Sequence, residues 1–138
     1  MKTLKISLLA LTLGLMSFSV ITNKSVSLSK LELGSILSWK SDVLEVGKIP
    51  QGTPKLIVFE FRNTSKNQVV KIIDVKPACG CTAADYTKGN IAPGKIGFVK
   101  ATFNAAAVGP FTKTVTVTTT AEKEPKILTF KGIVQPKK

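Results

Sequence analysis

The chain has 138 residues, 20 basic against 8 acidic, and no histidine, which sets the net charge at +12. That length holds one domain with a self-sufficient core. The lack of histidine excludes a Ser-His or Cys-His nucleophile pair within these residues, and with it any histidine-based zinc site.

The N-terminus reads as an export leader. Lys2 and Lys5 supply positive charge, Ile6 to Leu15 is an apolar run interrupted by Ser7, Thr12 and Gly14, and Ser17-Phe18-Ser19 places small residues at the cleavage-determining positions. The expectation is a signal peptide over residues 1–19, cut after Ser19, because the apolar stretch falls short of the roughly 20 residues a membrane span needs. No cysteine lies in or just after the leader to accept a bacterial lipid. The product is therefore expected to be periplasmic or secreted, touching the membrane only through the leader before cleavage. Loss of Lys2 and Lys5 leaves 18 basic residues against 8 acidic, a charge of +10. These cations are scattered singly, only Arg62 is an arginine, and the densest pair is Lys137-Lys138. Nucleic-acid readers concentrate Arg and Lys on one face beside stacking aromatics, so a solvated lysine surface is expected, without nucleic acid as a partner.

Residues 20–38 are rich in Ser and Lys, with Val26, Leu28, Leu31 and Leu33 loosely alternating. They read as a linker, or a partly ordered N-terminal segment that can form an edge strand, ahead of a domain over residues 39–138. From Trp39 onward, short β-branched and aromatic segments recur between turn residues at regular spacing, the pattern of an all-β sandwich. Seven strands are predicted. Val43–Ile49 stops at Pro50-Gln51-Gly52, and Lys55–Arg62 alternates cleanly, with Ile57, Phe59 and Phe61 on one face. Asn63 to Asn67 turns the chain through local side-chain bonding, and Gln68–Lys76 runs to Pro77. Thr82–Tyr86 is a short fourth strand. Ala92-Pro93-Gly94-Lys95 suits a type II turn, after which Ile96–Phe103 buries Val99, Ala101 and Phe103. Phe111–Thr120 alternates valine with threonine, and Lys126–Val134 closes the chain. Phe59, Phe61, Phe98, Phe103, Phe111 and Phe130 are expected in the core, while Trp39 and Tyr86 fall outside the alternation and fit either a core edge or the surface.

Several ordered motifs carry a likeness to a known family. They are Phe59-Glu60-Phe61-Arg62-Asn63-Thr64, Val75 with Cys79-Gly80-Cys81-Thr82, Ala92-Pro93-Gly94-Lys95, and Phe111-Thr112-Lys113 followed by a Val/Thr strand. Together they span about two thirds of the chain, and the set resembles the bacterial domain-of-unknown-function family 1573. Two positions depart from its pattern: Ala78 stands where Ser is common, and Asn63-Thr64-Ser65 replaces an Asn-Thr-Gly turn. The resemblance implies an immunoglobulin-like, seven-stranded Greek-key sandwich related to PapD-type modules, an envelope location and no established activity.

Cys79 and Cys81 are the one chemically distinctive feature. Residues two apart on an extended strand share a face with Cα atoms about 6.6–6.8 Å apart, the upper edge of disulfide reach. Closure needs a local turn, which Gly80 permits by taking a positive φ or a bulge, and a bond so formed would be strained and labile. Four readings fit the pair: small apolar side chains at a strand start, a loop-stiffening disulfide, two thiolates holding Cu(I), or redox exchange with a partner. Asp74 and Asp85 are the only carboxylates near it in sequence, and two thiolates alone do not complete a zinc site. No catalytic, cofactor or metal residue is assigned, and no enzymatic activity is expected. The expectation is a binding or structural module of the bacterial cell envelope with a protein or polymer partner; the alternative is thiol redox or copper(I) handling through Cys79 and Cys81.

Overall fold

Alternation of apolar and polar side chains governs nearly every strand of the computed structural model, which describes residues 34–138. The expected leader, and all but the last residues of the 20–38 segment, lie outside the described residues. Nine strands run in chain order: β1 Leu37–Trp39, β2 Val43–Pro50, β3 Lys55–Asn63, β4 Val70–Pro77, β5 Thr82–Tyr86, β6 Asn90–Ile91, β7 Ile96–Phe103, β8 Gly109–Thr119 and β9 Lys126–Gln135. Seven correspond to the predicted strands. The additions are β1, with Leu37 buried in the core, and the two-residue β6.

Two sheets face each other, one ordered β1-β3-β7-β5 and the other β2-β9-β8-β4-β6. Successive strands alternate between the sheets until the β8–β9 hairpin, so the chain crosses the core at almost every turn. All pairings are antiparallel except β2 with β9. The core fills from both inner faces: Ile57, Phe59, Phe61, Val99 and Phe103 from one, Val70, Ile72, Val115, Val117, Leu128 and Phe130 from the other.

Register irregularities explain where simple alternation breaks. A shift between Ile72 and Asp74 lets Ile72 and Val75 both point inward and leaves Ile73 exposed. The Ala92–Lys95 turn forms as expected, with Gly94 at φ +77° and Lys95 N–H donating to the Ala92 carbonyl at 3.0 Å.

One expected core aromatic is not in the core. Phe98 lies on the outward face of β7 and is 37% exposed, because the inward positions flanking it are Gly97 and Val99. Phe111 is half-buried, with its ring 4.5 Å from that of Phe103. Trp39 covers a core edge, its ring centroid 4.6 Å from that of Phe61. Tyr86 is half-buried beneath Lys88, whose Nζ sits 3.3 Å from the ring centroid.

Candidate functional site

The β4–β5 connection holds the cysteines at one end of the sandwich. Pro77 is the last residue of β4 to pair with β8, and the Ala78 N–H extends that contact by donating to the Thr114 carbonyl at 3.0 Å. The chain then turns through Cys79-Gly80-Cys81, where the Thr82 N–H donates to the Cys79 carbonyl at 3.3 Å. This turn draws the two Cα atoms to 5.3 Å, and Cys79 and Cys81 are joined in a disulfide. Gly80 reaches this geometry without a positive φ, so the first of the two conformations expected for it is not the one taken, and a Cβ placed there would meet nothing within 4 Å.

Both cysteines are half-buried, and Cys81 packs against the core. Its carbonyl accepts from the Asn104 N–H at 3.0 Å, which ties the turn to the end of β7. Thr82 is 4% exposed, and its Oγ1 lies 3.8 Å from Cys79 Sγ and 3.9 Å from Cys81 Sγ. Among the described residues, the sulfurs are the only hydrogen-bond partners of this hydroxyl. The sequence placed Thr82 at a strand start and at the end of the Cys79-Gly80-Cys81-Thr82 motif without giving its hydroxyl a role; its position directly after the second cysteine was the available signal.

A surface groove of about 410 Å³ runs beside the bridge, lined by Cys81, Asn104, Val108, Phe111 and Lys113 among others. Its floor rests on an aromatic cluster, with the Phe103 and Phe111 rings each packed against Phe130 at 5.9 and 6.2 Å between centroids. The bordering loop holds Ala105 fully buried at φ +51°. Bonds from the Gly52 N–H to the Ala105 carbonyl, at 2.9 Å, and from Gln51 Nε2 to the Ala106 carbonyl, at 3.0 Å, hold this conformation.

The two nearby carboxylates have other partners. Asp74 accepts from the Val75 N–H at 2.9 Å and pairs with Lys76 at 3.3 Å, while Asp85 pairs with Lys88 at 3.7 Å. Among the described residues no three Cys, Asp or Glu side chains gather as metal ligands. With the sulfurs bonded to each other, neither is a thiolate ligand, so holding Cu(I) would require the reduced pair.

Comparison with known proteins places the chain. Residues 37–134 match the family described as "Protein of unknown function (DUF1573)". The chain belongs to this family. No curated protein matches it. Among solved structures it is similar to a protein of unknown function from Porphyromonas gingivalis W83, at 13% identity and a TM-score of 0.62, over 72% of this chain and 46% of that one. It is also similar to a PapD-like domain of human CEP192, at 12% identity and a TM-score of 0.57, over 75% of this chain and 88% of that domain. A third likeness, to Vibrio cholerae VesB protease, has 16% identity and a TM-score of 0.57 and covers 72% of this chain but 32% of that one. The chain thus spans under half of the Porphyromonas protein's length. At these identities the likenesses speak to fold alone, and the fold is the immunoglobulin-like β-sandwich expected from the strand pattern.

Proposed function

We propose that this chain is a non-catalytic binding module of the bacterial cell envelope, exported by its leader, that engages a protein or polymer partner through the outer face of its first sheet. One observation carries the reading: Leu56, Val58, Ile96 and Phe98 lie on that face at 55, 40, 38 and 37% exposure. The β3–β7 register sets Phe98 opposite Glu60 and Val58 opposite Lys100, so the phenylalanine and the valine are diagonal neighbours. Apolar side chains grouped on an exposed sheet face, rimmed by Glu60, Arg62 and Lys100, have the composition of an interaction surface. The lack of histidine supports a binding role over a hydrolytic one.

Crosslinking capture from envelope extract tests this. The full chain is expected to retain a saturable partner that the double variant Val58→Lys, Phe98→Lys loses while keeping its circular dichroism spectrum. Capture that is absent, or equal for both proteins, would overturn the reading.

A further inference from the structure

We propose that the Cys79–Cys81 bridge is a thiol–disulfide exchange site that oxidises a dithiol on a peptide or protein partner, with the Thr82 hydroxyl as hydrogen-bond donor to the departing sulfur. This is a property separate from binding at the first sheet, and neither depends on the other.

Three observations converge. Both cysteines are half-buried rather than enclosed. Cys81 lines the adjoining groove, whose only charged lining residue among those described is Lys113, a cation suited to drawing in an attacking thiolate. Thr82 keeps a buried hydroxyl within sulfur hydrogen-bonding distance of both Sγ atoms and bonds to nothing else among the described residues. A hydroxyl held in this way contributes little to the oxidised pair, since disulfide sulfurs are weak acceptors. It contributes most when one sulfur becomes a thiolate, because a hydrogen bond to an ionised acceptor is about twice as strong as a neutral one.

The step balances with the partner alone. A partner thiolate attacks Cys81 Sγ from the groove, forming a mixed disulfide and breaking the Cys79–Cys81 bond. Cys79 leaves as a thiolate that accepts a hydrogen bond from Thr82 Oγ1 and then takes up a proton. The partner's second thiolate attacks its own sulfur in the mixed disulfide and expels the Cys81 thiolate, which is protonated in turn. Two electrons and two protons pass from the partner dithiol to the cysteines, and the partner gains a disulfide.

The test uses the full chain in its oxidised form with a synthetic peptide bearing two cysteines. The folded protein is expected to be reduced by the peptide under native conditions, and rapid alkylation should trap the mixed disulfide on Cys81. Thr82→Val is expected to slow the reaction roughly tenfold, through loss of a hydrogen bond to a charged group, while Thr82→Ser restores it. Reduction that occurs only after denaturation, an adduct on Cys79, or equal rates for wild type and Thr82→Val would each overturn the proposal. If Thr82→Val does not fold, the site of the trapped adduct and the native reactivity still decide it.

Discussion

Asn63, fully buried at the end of β3, donates through Nδ2 to the carbonyl of Ile91 at 2.9 Å. The same amide donates to the Gln68 carbonyl at 2.7 Å, and its Oδ1 accepts from the Ser65 N–H at 3.1 Å and the Ser65 hydroxyl at 2.7 Å. Every hydrogen-bonding position of the side chain is filled, and it locks the β3–β4 turn to β6. Replacement by alanine leaves the buried Ile91 carbonyl short of this donor, while the exposed Gln68 carbonyl keeps the Ser65 hydroxyl at 2.8 Å. Asn63→Ala is expected to cost about 2–4 kcal/mol, read as a lowered denaturant midpoint with an unchanged m-value.

Gly97 lies where β7 passes under the Phe61 ring. A Cβ there would press into Phe61 and stand 2.7 Å from Ile91 Cδ1. Phe61 cannot retreat freely, since its other neighbours include the Trp39 ring at 4.6 Å between centroids. Gly97→Ala is expected to destabilise by about 1–3 kcal/mol through overpacking. Trp39 is the chain's only tryptophan, so displacement of Phe61 should also appear as a change in its emission in the folded state.

Much of the sandwich was legible because its strands keep period two. Ile57, Phe59 and Phe61 alternate strictly, and Thr82–Tyr86 and Ile96–Phe103 have the bounds the pattern implies. The parity rule also places Phe98 outside, opposite to Val99; its hydrophobicity argued for the core, and in the structure parity prevails. The rest depends on distant partners that local pattern does not encode. Asn90–Ile91 is too short to show a period, and the parallel β2–β9 pairing is set by where the two ends of the domain meet. The bulge at Ile72/Asp74 shifts the alternation by one residue. At the cysteines, spacing alone leaves the choice between thiols and a bridge open. The turn itself is closed locally by the bond from the Thr82 N–H to the Cys79 carbonyl, but its docking against Thr114 and Asn104 depends on distant partners.

Electrostatics adds one pH-dependent contact. Lys126 Nζ donates to Asp42 Oδ2 at 3.0 Å, and this hydrogen bond, with the charge of Lys126, holds the Asp42 carboxyl below its ordinary value of 3.8. A carboxyl whose folded pKa is depressed adds stability above its unfolded pKa, and that share is lost as pH falls through the folded value. Asp42→Asn should therefore melt slightly below wild type at neutral pH. The gap should close in acid below the folded pKa, and also shrink in 1 M salt because the pair is exposed. Thermal melts across pH and salt check both trends.

The Cys79–Cys81 bridge closes a loop of only three residues, which limits what it can add to the fold. Chain-entropy stabilisation grows with loop length, and at this length it comes to about 1.5 kcal/mol. The corner has other fastenings: the Ala78 N–H to the Thr114 carbonyl at 3.0 Å, and the Asn104 N–H to the Cys81 carbonyl at 3.0 Å. The double variant Cys79→Ser, Cys81→Ser is thus expected to keep its β-sheet circular dichroism and to lose less than about 10 °C in melting temperature. Reduced wild type should behave in the same way. A sandwich that stays folded in both redox states can take up and release electrons at this corner without unfolding. Loss of sheet structure on reduction would instead make the bridge part of what holds β4 against β8.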